Sequence, residues 1–152
     1  MNRREFLGLG LGVLAASMIP ARVLAEDFRK TKPSVWKAKK PDQAIKALFG
    51  TNKMDKSGVK LNAPDIAENG AVIPITVEKV PEGTKILALF QDANPESAVA
   101  VFTIHPRSIP DGYSIRIKLQ KTGNVYAVAQ TKDGKLFYDE KKVKVTIGGC
   151  GG

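Results

Sequence analysis

The chain has 152 residues, enough for one domain with a real core, and its 43% apolar and 26% charged content lie near globular averages, which excludes global disorder. Its net charge of +9 favours attraction to anions. The 24 lysines and arginines are scattered, however, with no recognition helix, RNP-like aromatic motif or zinc spacing, which argues against nucleic acid as a partner.

The N-terminus reads as an address. Met1-Asn2-Arg3-Arg4-Glu5-Phe6-Leu7 carries paired arginines, Leu9 to Ile19 is apolar and rich in Gly and Ala, and Val23-Leu24-Ala25 suits a signal peptidase. The apolar run is too short and glycine-rich for a good transmembrane helix. The segment resembles a bacterial twin-arginine signal, with Asn2 and Gly8 departing from its usual pattern. A general secretory signal with a fortuitous Arg pair is the other reading, and either exports the chain. Removing residues 1–25 takes away three basic residues and one acid, leaving a mature charge of +7. No stable membrane anchoring is expected after cleavage.

Residues 26–40 read as a basic, irregular arm whose Trp36 pins it to the domain. Asp42 is placed to cap a short helix over Gln43 to Phe49, with Ile45, Leu48 and Phe49 inward and Gly50 ending it. Thr51 to Gly58 loops out, and Val59-Lys60-Leu61 forms a short strand. Pro64 starts one helical turn, and Asn69-Gly70 is a turn signal. Asp65 and Glu68 are three apart, but without histidine or further carboxylates they suit capping better than a metal.

From Ala71 the period is two. Val72 to Val80 is a strand in which Pro74 suggests an edge or bulge. Pro81-Glu82-Gly83-Thr84 turns it into Lys85 to Phe90. Ala98 to Ile104, apolar on both faces, reads as a central strand ending at His105-Pro106, with a turn at Pro110-Asp111-Gly112. Ile115, Ile117 and Leu119 alternate with Ser114, Arg116 and Lys118, the pattern of a half-buried strand. Val125 to Gln130 follows a turn at Thr122-Gly123-Asn124, and Asp133-Gly134 makes a hairpin to Leu136 to Tyr138. Val143, Val145 and Ile147 alternate with Lys142, Lys144 and Thr146 and root the C-terminus. The expected fold is all-β, an Ig-like β-sandwich of about seven strands with one or two short N-terminal helices. The expected domains are a signal peptide (1–25), a sandwich (26–147) and a flexible C-terminal arm (148–152).

Catalytic company is missing. His105 is the only histidine, with neither nucleophile nor orienting group beside it in sequence, and Ser34, Ser57, Ser97, Ser108 and Ser114 lie in no nucleophile elbow. There is no phosphate loop, dinucleotide fingerprint or CxxC pair. No catalytic residue, metal site or dissociable cofactor is expected, so the chemistry falls to the single cysteine, Cys150, flanked by Gly148, Gly149, Gly151 and Gly152. Glycine has the widest choice of backbone conformations. Three residues beyond Ile147 carry the sulfur about 10 Å from the sheet on an arm thin enough for a narrow active site. An unburied thiol has a reference pKa of about 8.5, so activation must come from a partner, or weakly from Lys141, Lys142 and Lys144. A covalent carrier fits best. An intermolecular disulfide, a peroxide-reducing thiol and a ubiquitin-like Gly-Gly end are the other readings.

The twin-arginine leader, the run Ala63-Pro64-Asp65-Ile66-Ala67-Glu68-Asn69-Gly70 followed by Ala71-Val72-Ile73-Pro74-Ile75, and the terminal Gly-Gly-Cys-Gly-Gly together resemble the SoxY family, sulfur carriers of periplasmic thiosulfate oxidation. The resemblance implies a heterodimer with SoxZ, itself a small β-sandwich. It implies that a c-type cytochrome complex joins Cys150 oxidatively to thiosulfate as an S-thiosulfonate. A dimanganese thiol hydrolase would then release sulfate and leave a persulfide, and a sulfane dehydrogenase is a further implied partner.

Overall fold

The computed structural model describes residues 26–105 and 112–148. Residues 1–25, expected to be a signal peptide, Pro106 to Asp111 (with Ser108) and Gly149 to Gly152 (with Cys150) lie outside the described residues.

Among the described residues three short helices come first, α1 (Phe28–Thr31), α2 (Pro33–Lys37) and α3 (Pro41–Phe49). Eight strands follow: β1 (Lys60–Asn62), β2 (Ile66–Asn69), β3 (Ile73–Lys79), β4 (Thr84–Gln91), β5 (Ala98–Thr103), β6 (Tyr113–Ile117), β7 (Gly123–Thr131) and β8 (Leu136–Ile147). They form a three-stranded sheet ordered β1-β3-β6 and a five-stranded sheet ordered β2-β8-β7-β4-β5. The expected all-β, Ig-like sandwich is thus present.

The core lies where alternation points it. Ile73, Ile75, Val77 and Ile117 from the small sheet meet Leu87, Leu89, Val125, Ala127, Ala129 and Val143 from the large one. The large sheet has a second covered face. There Ala88, Phe90 and Val128 pack under Val35, Ala44, Ile45 and Leu48 of the helices, giving a third layer. Phe90 is fully buried at that junction. Phe90→Ala is expected to cost about 3–5 kcal/mol, the usual result of truncating a core aromatic, read as a fall in the urea midpoint with unchanged slope.

The third layer corrects several expectations. Residues 26–40 are not irregular: Asp27 accepts from the Arg29 N–H at 3.1 Å to cap α1, and Pro33 opens α2. Trp36 packs against the helix-side cluster with the Arg29 guanidinium 4.1 Å from its ring centroid. Helix α3 starts at Pro41 with Lys40 before it, so Asp42 sits in the first turn and makes no capping bond. Proline at the first helical position needs no N–H there, which moves the start back two residues, from Gln43 to Pro41. Ile45 and Leu48 are buried, Phe49 half-buried, and Gly50 ends the helix at φ 77°.

Strand β5 is an edge strand, not a central one. Its two apolar faces are explained by cover above and below: Ala98 and Val101 pack towards the helices, Val99 and Phe102 towards the sandwich core. Pro74 lies in the middle strand of its sheet, but β1 stops at Asn62 opposite Thr76, so no strand flanks the proline on that side. Leu136 to Ile147 is one twelve-residue strand, not two. The turn expected after Pro64 is instead β2, which pairs in parallel with β8.

Candidate functional site

Strand β8 outruns its sheet. Its pairing with β7 ends at Gly123 opposite Val143, four residues before Ile147. Beyond that point β2 is its strand neighbour, with Ile66, Ala67 and Asn69 opposite Lys144, Val145 and Ile147. The Lys144 N–H donates to the Asp65 carbonyl at 2.9 Å, and the Thr146 hydroxyl to the Glu68 carbonyl at 3.2 Å. The Gly70 N–H donates to the Ile147 carbonyl at 2.8 Å. Asp65 and Glu68 therefore serve through their main chains; their side chains are exposed, and no metal-holding cluster occurs among the described residues.

On the side that β7 vacates, a loop takes over. The Thr122 hydroxyl accepts the Val145 N–H at 3.0 Å, and the Leu119 N–H donates to the Gly70 carbonyl at 2.8 Å. Gly148 then passes so close to Gln120 that a Cβ at 148 would land on the Gln120 carbonyl oxygen. Val143 is buried and Val145 half-buried, but Ile147, expected inward, is 69% exposed. It has the inward parity, yet the sandwich has ended beneath it.

The loop is itself held by amides. Asn94 donates from Nδ2 to the Lys118 carbonyl at 2.7 Å and accepts the Gln120 N–H on Oδ1 at 2.9 Å. Asn94 is fixed in turn by Gln91, whose Oε1 accepts the N–H groups of Ala93 and Asn94 at 2.6 and 2.7 Å while Nε2 donates to the Glu96 carbonyl at 2.6 Å. Asp92 ties the same loop to the start of β7 through the Asn124 N–H and Nδ2 at 2.7 and 2.8 Å. Burial, with Asp92 adding, raises the Tyr126 phenol above its usual value, which keeps that ring neutral beside the carboxylate.

Lys121, Lys142 and Lys144 are exposed and form no ion pair among the described residues, and the Asp65 and Glu68 carboxylates are exposed at the same strand end. His105 is exposed at the other end of the sandwich, beside a cleft of about 710 Å³ shared with Lys79, Lys85, Tyr113 and Lys132. Ser97 is buried, but its hydroxyl donates to the Gln91 carbonyl at 2.7 Å. Ser34, Ser57 and Ser114 are exposed. Of the expected site residues, Gly148 alone is among those described. The Gln91–Asn94–Gln120 relay has no sequence signal of its own, because its residues meet only in the folded chain.

The family model described as "Sulfur oxidation protein SoxY" matches residues 45–150, from within α3 to the terminal cysteine. The chain belongs to the SoxY family. That family consists of carriers, so the chain is a sulfur-oxidation protein and not an enzyme. A solved SoxY family member, the sulfur carrier protein SoxY from Chlorobium limicola f thiosulfatophilum, is 39% identical, with a TM-score of 0.63 over 72% of this chain and 95% of that one. A superoxide reductase (neelaredoxin) from Ignicoccus hospitalis is 19% identical, with a TM-score of 0.51 over 59% of this chain and 80% of that one. A point variant of that reductase is 21% identical, with a TM-score of 0.51 over 69% of this chain and 91% of that one. These two share the fold of this chain. No curated protein matches the chain.

Proposed function

We propose that this SoxY family member is a periplasmic covalent carrier that holds thiosulfate-derived sulfur on Cys150 and presents it to partner enzymes. The observation that carries this reading is the overshooting end of β8. It is bonded on one side to β2 and on the other to the Thr122 loop, so the residues after Gly148 start from a firm base beyond the sheet. Gly149, Cys150, Gly151 and Gly152 then serve as a thin arm, and residues 1–25 as a twin-arginine signal.

The chemistry balances with an external oxidant. The Cys150 thiol loses its proton and bonds to the outer sulfur of thiosulfate, giving Cys–S–S–SO₃⁻, and two electrons pass to a c-type cytochrome. Water then cleaves the bond between that sulfur and the sulfonate group, which leaves as sulfate, and the carrier retains a persulfide. His105 lies at the far end of the fold, beside Lys79 and Lys132, and takes no part in either step. SoxZ is the proposed stable partner, and a sulfane dehydrogenase the enzyme that oxidises the persulfide sulfur.

Intact mass spectrometry of protein purified from thiosulfate-grown cells tests the proposal. A mature chain starting near Glu26, with sulfane and thiosulfonate adducts on the C-terminal peptide, is the expected result. A population consisting only of disulfide-linked dimers would favour a structural role instead.

A further inference from the structure

The end of β8 is held by more than strand pairing. Past Val143 it has lost β7, and a strand end with one neighbour ordinarily frays. Here the Thr122 hydroxyl takes the Val145 N–H on that side, and residues 118–120 precede it in the same loop. Each is engaged: the Lys118 carbonyl by Asn94 Nδ2, the Leu119 N–H by the Gly70 carbonyl, and the Gln120 N–H by Asn94 Oδ1. A single side-chain amide thus bonds main-chain groups two residues apart, the way a neighbouring strand would. The Gln120 carbonyl abuts Gly148. Gly70 closes the other side, donating to Ile147 while accepting from Leu119. Ile147 and Gly148 therefore leave the sheet through a collar made of Gly70 and Gln120.

We infer that Asn94 and Gly148 are positioning residues: Asn94, through the Gln120 backbone, fixes where the chain leaves the sheet, and Gly148 is the residue small enough to pass. Gly148 on this account is the fixed root rather than part of the swinging arm, which starts at Gly149. The inference rests on the reading of Cys150 as the carrier thiol. An arm whose reach is about 10 Å beyond the sheet samples a small volume, so a displaced root moves the thiol out of a partner's active site. Misplacement of about 1 Å can cost about a hundredfold in rate.

The test uses the full mature chain with Asn94→Ala, Gly148→Ala and Gln120→Ala. Gln120→Ala is the control, since the collar uses the main chain of Gln120 and not its side chain. Because Cys150 is the only cysteine, a nitroxide on it and a second on an introduced Lys53→Cys give a distance distribution by double electron–electron resonance. Asn94→Ala and Gly148→Ala should shift or broaden that distribution, with Gln120→Ala like the parent. In the otherwise unsubstituted background, the rate of Cys150 with a small aromatic disulfide should stay within about twofold for all three, while enzymatic loading with thiosulfate falls at least about tenfold for Asn94→Ala and Gly148→Ala. Unchanged distributions in both variants would overturn the inference. So would a loading defect in Gln120→Ala equal to that of Asn94→Ala, which would mean side-chain recognition by the partner. If the distributions move as expected but the parent accepts no sulfur, the collar stands and the carrier reading falls.

Discussion

Replacing Cys150 by serine is expected to abolish every covalent sulfur adduct while leaving the domain as stable as before. Serine keeps the size of the side chain, so any loss is chemical. A thiol with a reference pKa of about 8.5 supplies a few per cent thiolate at neutral pH, whereas a serine hydroxyl is not appreciably ionised and forms no S–S bond. Among the described residues, none beyond Val145 belongs to either core cluster, and Ile147 is exposed. The urea midpoint should therefore match the parent's. Intact mass spectrometry after incubation with thiosulfate and the partner oxidase should show the unmodified mass alone. Adducts that survive Cys150→Ser at parental levels would place the sulfur elsewhere and end the carrier reading. A variant that loses its stability along with its adducts would show that the cysteine packs on the domain.

The fold was legible wherever a local pattern and its burial agree. Ile115, Ile117 and Leu119 alternate with polar residues because one face of that segment meets the core and the other meets water. Asp133-Gly134 announced the β7–β8 hairpin, and Gly134 has the φ of 84° that such a turn asks of it. Strand β5 misled because apolar residues on both faces report cover above and below, not neighbours at the sides. Its cover comes from the helices, whose own signal was broken into pieces of four, five and nine residues. Strand β2 has no alternation worth the name. Ile66 to Asn69 become a strand because the end of β8 offers unpaired main chain, and tertiary pairing overrides local preference.

The site divides in the same way. Position, isolation and flanking glycines make Cys150 conspicuous in the sequence. The collar is not conspicuous, because Gln91, Asn94, Gln120 and Gly148 come from separate stretches and meet only after the sandwich closes. Gly148 also looked like one more flexible glycine. Its lack of a side chain matters for a different reason, the close approach of the Gln120 carbonyl.

Gln91 joins core to collar, and its loss should be felt in both. It is 1% exposed, its side chain makes three hydrogen bonds, and its main chain bonds Ser97 in both directions. Gln91→Ala leaves the Ala93 and Asn94 N–H groups and the Glu96 carbonyl without partners in a site where Ala93 is itself buried. Stranding buried polar groups costs about 1–3 kcal/mol each where water cannot reach them. Partial hydration at Asn94 and Glu96 brings the expected total to about 3 kcal/mol. Gln91→Glu separates donor from acceptor. It keeps an acceptor for the two N–H groups but loses the donor to Glu96 unless the new carboxyl is protonated. Burial raises the folded-state pKa of that carboxyl above its unfolded value, so its stability is fully present below the unfolded pKa and is lost as pH rises through the folded one. Urea titrations should thus show Gln91→Glu closest to the parent near pH 4 and falling behind it by pH 7, while the deficit of Gln91→Ala stays level. A pH-independent deficit in Gln91→Glu would mean that the site is wet. Because Gln91 acts on the arm through Asn94, Gln91→Ala should also lower enzymatic loading of Cys150, and adding Asn94→Ala should lower it little further. Fully additive losses would show that the two amides act on the carrier by separate routes.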